Sequence, residues 1–130
     1  MIMKTLFTII VPVFFIGFIL NPGIQGNKSW QKSGSFYTAE ARKVIDNKCY
    51  GCHSEQGKSK DAKDALLWDS LPNLSKGSQI GTLDHIIKVL KEKKMPPEGI
   101  VKKYPEMKLS PEETRILQSW AESRADSLLK

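Results

Sequence analysis

An all-α domain is predicted for this 130-residue chain. Three stretches repeat apolar residues at helical spacing, each has a capping residue at its head, and nowhere do apolar and polar residues alternate as in a strand. Long polar connections separate the stretches, so three main helices with long loops are expected. The length suits one domain and is short for two separate cores.

Taken in order, Thr38 is placed to cap a first helix over 39–48, where Ala41, Val44 and Ile45 make an apolar stripe. This helix delivers the chain to "NKCYGCHSEQG" (47–57), which holds both cysteines and one of the two histidines. Residues 54–64 are polar with alternating charge and no period, which reads as a surface loop. The stretch 65–74 is apolar with Pro72 near its end, a short helical turn running into extended chain. "SKGSQIG" (75–81) reads as a further loop. Thr82 is the expected cap of a second helix through Lys93, with Leu83, Ile86, Ile87 and Leu90 on one face. That helix must stop before Met95, because Pro96 and Pro97 disfavour helical geometry ahead of them. Residues 102–109 read as irregular. The last helix has the fullest signal: Ser110 as N-cap, Pro111 at the first helical position, Glu113 closing a capping box, then Ile116, Leu117, Trp120 and Leu128 along one side.

The N-terminal 26 residues differ from the rest. Lys4 is their only charge, and 5–20 is an uncharged run of 16 residues that contains Pro12 and precedes Asn21-Pro22-Gly23. A membrane span needs about 20. The layout is that of an export signal, 1–26, with an uncleaved anchor as the second choice. A polar linker, 27–37, follows, and the domain proper is placed at 38–130. Without residues 1–26 the chain keeps 19 basic against 14 acidic side chains. A balance so mild steers an acidic partner and is too diffuse to argue for nucleic acid.

The C-x-x-C-H of Cys49, Cys52 and His53 admits four readings. Two thiols at this spacing reach two vinyl groups on one edge of a porphyrin, and an imidazole directly after the second thiol is placed to reach the iron. A redox dithiol has the same C-x-x-C but usually follows a strand in a βαβ unit, and here a helix precedes it. Zinc needs four ligands, and His85, the only other histidine, lies 32 positions beyond His53 with no further cysteine available. A Cys49–Cys52 disulfide is the plain alternative for an exported protein. The five-residue pattern favours haem.

The pieces "CYGCH" (49–53), "KMPPEG" (94–99) and "KLSPEETRILQSW" (108–120) resemble, in order and spacing, the class I c-type cytochromes, particularly small exported bacterial haem-binding domains. The resemblance runs from Thr38 to the C-terminus. It implies three main helices wrapped around one covalently attached haem c, with Cys49 and Cys52 as attachment points, His53 as the proximal iron ligand and Met95 as the sixth. The two prolines after Met95 also stiffen the strap that would present its sulfur, although a methionine filling a core gap fits the sequence as well. His85 and Met107 are rivals to Met95. At about 100° per residue, His85 points away from the apolar stripe of its helix. Met107 has no rigid flank.

By the same resemblance the carbonyl of Pro72, in "PNL", accepts a hydrogen bond from the second ring nitrogen of His53, although Leu71 stands where the family usually has glycine. Trp68 is expected to pack on the macrocycle or give its N–H to a propionate; an ordinary core tryptophan is the alternative. An iron with both axial positions filled has no vacancy for substrate, so the expected function is one-electron transfer between exported or membrane redox partners, without enzymatic activity or a small-molecule substrate. The protein would be periplasmic, with membrane anchoring as the second choice. A haem enzyme or gas or peroxide sensor with an open sixth position is the alternative. Lys88, Lys91, Lys93, Lys94, Lys102 and Lys103 flank Met95 as a docking rim for an acidic partner, or are simply a solvated face.

Overall fold

The computed structural model describes residues 35–130, and all of them fall into helices, 3-10 turns and loops. The signal and anchor readings of 1–26, and the linker as far as residue 34, lie outside the described residues. Three longer helices carry the fold: α1 (Ala39–Lys48), α3 (Lys76–Lys91) and α5 (Pro111–Leu129). Two six-residue helices, α2 (Lys60–Ala65) and α4 (Glu98–Lys103), and two 3-10 turns (Leu71–Asn73 and Pro105–Met107) lie between them. Among the described residues no helix is long and apolar enough to cross a membrane.

The caps follow the expected chemistry at both ends of the domain. Thr38 accepts the N–H of Ala41, and Ser110 and Glu113 form the complete capping box of α5. The stripes face one core. Ala41, Val44 and Ile45 of α1, Leu83, Ile86 and Leu90 of α3, and Leu117, Trp120, Ala121 and Ala125 of α5 are buried together with Trp68 and Leu71. α5 packs against both α3 and α1. Ala41 and Ala121 expose no surface, and side chains that small allow helix backbones to approach closely.

Five segments differ from their sequence-based expectation. α3 begins at Lys76 rather than after Thr82, so "SKGSQIG" is mostly helix. Gly77 and Gly81 each cost about 1 kcal/mol relative to alanine there. The Ser75 hydroxyl caps the first turn, and buried Gln79 donates to the carbonyls of Pro72 (3.0 Å) and Leu74 (2.8 Å), tying that turn to the chain before it. The other end of α3 stops at Lys91, two residues early. Lys94 N–H donates to Val89 O and Lys93 N–H to Leu90 O, with Lys93 left-handed at φ 54°. This Schellman closure turns the chain two residues ahead of Met95.

The remaining differences are shorter. Ser59 caps α2 inside the expected 54–64 loop, and α4 with the second 3-10 turn occupies most of the irregular 102–109 stretch. The packed chain also begins before Thr38. Phe36 accepts the indole N–H of Trp120 on its carbonyl at 3.0 Å, and the Tyr37 ring stacks on Trp120 at 5.2 Å while its hydroxyl donates to the Trp68 carbonyl. Burial pushes the Tyr37 hydroxyl well above the usual tyrosine range, so it stays a neutral donor at ordinary pH.

Candidate haem site

The end of α1 shapes the C-x-x-C-H loop. Cys49 and Tyr50 both donate their N–H to Ile45 O, continuing the helix by a turn, and Cys52 and His53 both donate to Cys49 O at 3.1 and 3.0 Å. The loop is therefore wound on itself, and both thiols are free. Gly57 closes it by donating to the carbonyl of buried Ser54 at 2.8 Å. A Cβ at this position would lie 2.3 Å from the Cys52 carbonyl oxygen and 2.9 Å from that of Ser54, contacts that only a backbone shift relieves. Gly57→Ala is accordingly expected to cost about 1–3 kcal/mol and to lower the ratio of haem to protein absorbance in the purified material.

Cys49, Cys52 and His53 line one cavity of about 350 Å³, together with Leu90, Met95 and Met107. The Schellman turn at Lys93 and the strap through Pro97 bring Met95 there, where it is 38% exposed. Met107 reaches the same cavity from the second 3-10 turn, which Lys48 holds by donating its ammonium to the carbonyls of Glu106 and Lys108. His85 is on the exposed face of α3 and does not line the cavity.

The carbonyl facing the His53 ring corrects the expectation for Pro72. Nδ1 of His53 lies 3.1 Å from Leu66 O, whereas the Pro72 carbonyl accepts from Gln79. Starting α3 seven residues earlier places Gln79 beside Pro72 and commits that carbonyl elsewhere. A carbonyl only accepts, so the His53 bond requires the proton on Nδ1 and leaves Nε2 of the neutral ring free to ligate. Trp68 is likewise placed away from the cavity. It is 3% exposed, with its ring centroid 6.2 Å from that of Tyr37 and 6.1 Å from that of Trp120, in the aromatic core. Its Nε1–H is buried without a partner among the described residues.

The environment also separates the competing readings of the two thiols. Burial, reinforced by Cys52 and Glu113, pushes the Cys49 thiol up to about 12, opposite to the depressed value a redox dithiol requires. Among the described residues no three His, Cys, Asp or Glu side chains gather as a metal site, which disfavours zinc. An all-helical fold around an apolar cavity with C-x-x-C-H in its wall is the build of a covalent haem carrier. Residues 38–123 match the cytochrome c family model, and the chain belongs to that family. It binds one iron-containing haem c covalently, and its role is haem-based electron transfer rather than catalysis. No curated protein and no solved structure gives a significant match.

The cavity suits that group on its own chemistry. Much of its wall is apolar, from Leu90, Pro96, Pro97, Ile100 and Leu109, as a porphyrin face requires, and besides Lys48, Ser59 and Asp61 its heteroatom side chains are two free thiols, one imidazole and two thioethers.

Proposed function

We propose that the protein carries single electrons between exported or membrane-bound redox partners, with Cys49 and Cys52 holding the haem and with His53 Nε2 and Met95 Sδ as the axial ligands. The observation that carries this reading is the meeting of all four residues on one cavity, with the His53 tautomer set by the Leu66 carbonyl. The group supplies a reversible one-electron couple; the chain excludes water from it, orients the imidazole and, through thioether ligation, raises its potential.

The same reading takes the surface beside Met95 as the docking side. A cleft of about 770 Å³ shares Met95 and Pro96 with the haem cavity and has Lys91, Lys93, Lys108 and Arg115 on its rim against one acid, Glu98. Glu98 is paired with Lys102 at 2.8 Å, Lys91 with Glu122 at 3.3 Å and Arg115 with Glu112 at 2.7 Å, so Lys93 and Lys108 carry the net positive charge of this rim. An excess of cations there favours an acidic partner, whose association should slow as salt rises, with a screening length of about 10 Å at 0.1 M. Export to the periplasm rests on the layout of residues 1–26.

The test is the optical spectrum of the oxidised protein with and without Met95→Ala. The weak red band of sulfur-to-iron charge transfer should be present in the unmodified protein and absent from the variant. A band that survives the substitution assigns the sulfur to Met107, and a protein without the band returns the open-site reading.

A further inference from the structure

We infer that Tyr50 and Asp69 are positioning residues that set the orientation and basicity of the His53 imidazole, an inference that rests on His53 being an iron ligand. Residues 66–69 hold His53 at two points. Leu66 O faces Nδ1 at 3.1 Å, and Trp68 N–H donates to His53 O at 3.1 Å. Where this segment sits therefore decides how the ring is held.

Side chains outside the cavity pin the segment in turn. The Tyr50 hydroxyl, carried on the C-x-x-C-H loop, donates to Asp69 Oδ2. The Arg42 guanidinium lies 5.1 Å from the Tyr50 ring centroid, with Nη1 3.9 Å from Asp69 Oδ1, and Asp46 holds its Nε at 2.8 Å. Loop and segment are thus joined at three places, two on His53 itself and the third through Tyr50 and Asp69. Neither Tyr50 nor Asp69 lines the cavity. Loosening the third join lets the Leu66 carbonyl drift from Nδ1–H. The imidazole becomes a weaker donor, the oxidised iron is stabilised less, and the potential rises.

Tyr50→Phe, tested in the haem-loaded protein, removes the hydroxyl without changing charge. The reduced-to-oxidised ratio at a fixed applied potential is expected to rise about threefold to tenfold, at or below the low end of the roughly 10–100-fold that loss of an outer-shell partner costs in affinity or activity. At about 59 mV per tenfold for one electron, the potential moves up by about 28–59 mV. The iron-shifted His53 resonances in the NMR spectrum of the oxidised protein should move with it.

Asp69→Asn and Asp69→Ala provide a second, independent comparison. Both lose the same charge, but only asparagine keeps an oxygen for Tyr50, so alanine should displace the His53 resonances further. A Tyr50→Phe protein with unchanged potential and unchanged His53 resonances overturns the inference, whatever its melting temperature. So do equal resonances in the two Asp69 variants. Both results leave the electron-carrier reading intact, whereas absence of iron-shifted His53 resonances from the unmodified protein removes the ligand assignment and the inference together.

Discussion

Matured alongside haem-attachment machinery, the Cys49→Ala/Cys52→Ala double variant is expected to have the mass of its bare polypeptide, while the unmodified protein is heavier by one haem. Each single variant retains one thioether bond and gives a mixture. Stability should fall as well. Among the described residues the core has twelve buried apolar side chains, four of which are alanine or valine, so the side chains alone bury little. A large apolar group in the cavity supplies the rest, and small domains have little margin without such help. With about 4–8 °C per kcal/mol for a domain this size, the double variant should melt on the order of 10 °C or more below the loaded protein. The same mass spectrum reads the N-terminus: loss of residues 1–26 from the mature chain supports export with cleavage, and a full-length mass supports the anchor.

Trp120→Ala is expected to cost about 3–5 kcal/mol, the range for removing a large aromatic from a core, read from guanidinium unfolding of the loaded protein. The figure is a large part of the roughly 5–15 kcal/mol that holds a domain folded. Trp120 is 5% exposed, contacts the rings of Phe36, Tyr37 and Trp68, and donates its N–H to Phe36 O. It joins α5 to the chain entering α1 and to the segment behind His53, so its loss loosens three parts of the fold together. Trp120→Phe keeps most of the packing and leaves the Phe36 carbonyl without its donor, for an expected cost of about 1–3 kcal/mol. A Trp120→Ala protein as stable as the unmodified one would mean that this aromatic cluster is not the keystone of the core.

The signals legible in the sequence were those that act over a few residues. Thr38 and Ser110 cap where expected because a cap is a bond to a backbone N–H three positions on, and Glu113 closes the box by accepting the Ser110 N–H three positions back. The stripes of α1, α3 and α5 face the core because helical periodicity is itself local. α2 was illegible because it is six residues long, buries none of them, and so carries no stripe. The first turns of α3 were illegible because two glycines argue against a helix, and the Ser75 cap together with the Gln79 bonds to Pro72 and Leu74 offsets that preference.

By itself the sequence determined the attachment motif, the helical class, and the family to which both point, since each is written in spacings of two to four residues. Tertiary structure decided which carbonyl orients His53, that Met107 shares the cavity with Met95, and that Trp68 belongs to the aromatic core. Those outcomes depend on residues 13 to 58 positions apart, such as His53 with Leu66 and Lys48 with Glu106. Contacts of that reach are set by how the helices pack, and packing free energy belongs to the whole core rather than to any short stretch of chain.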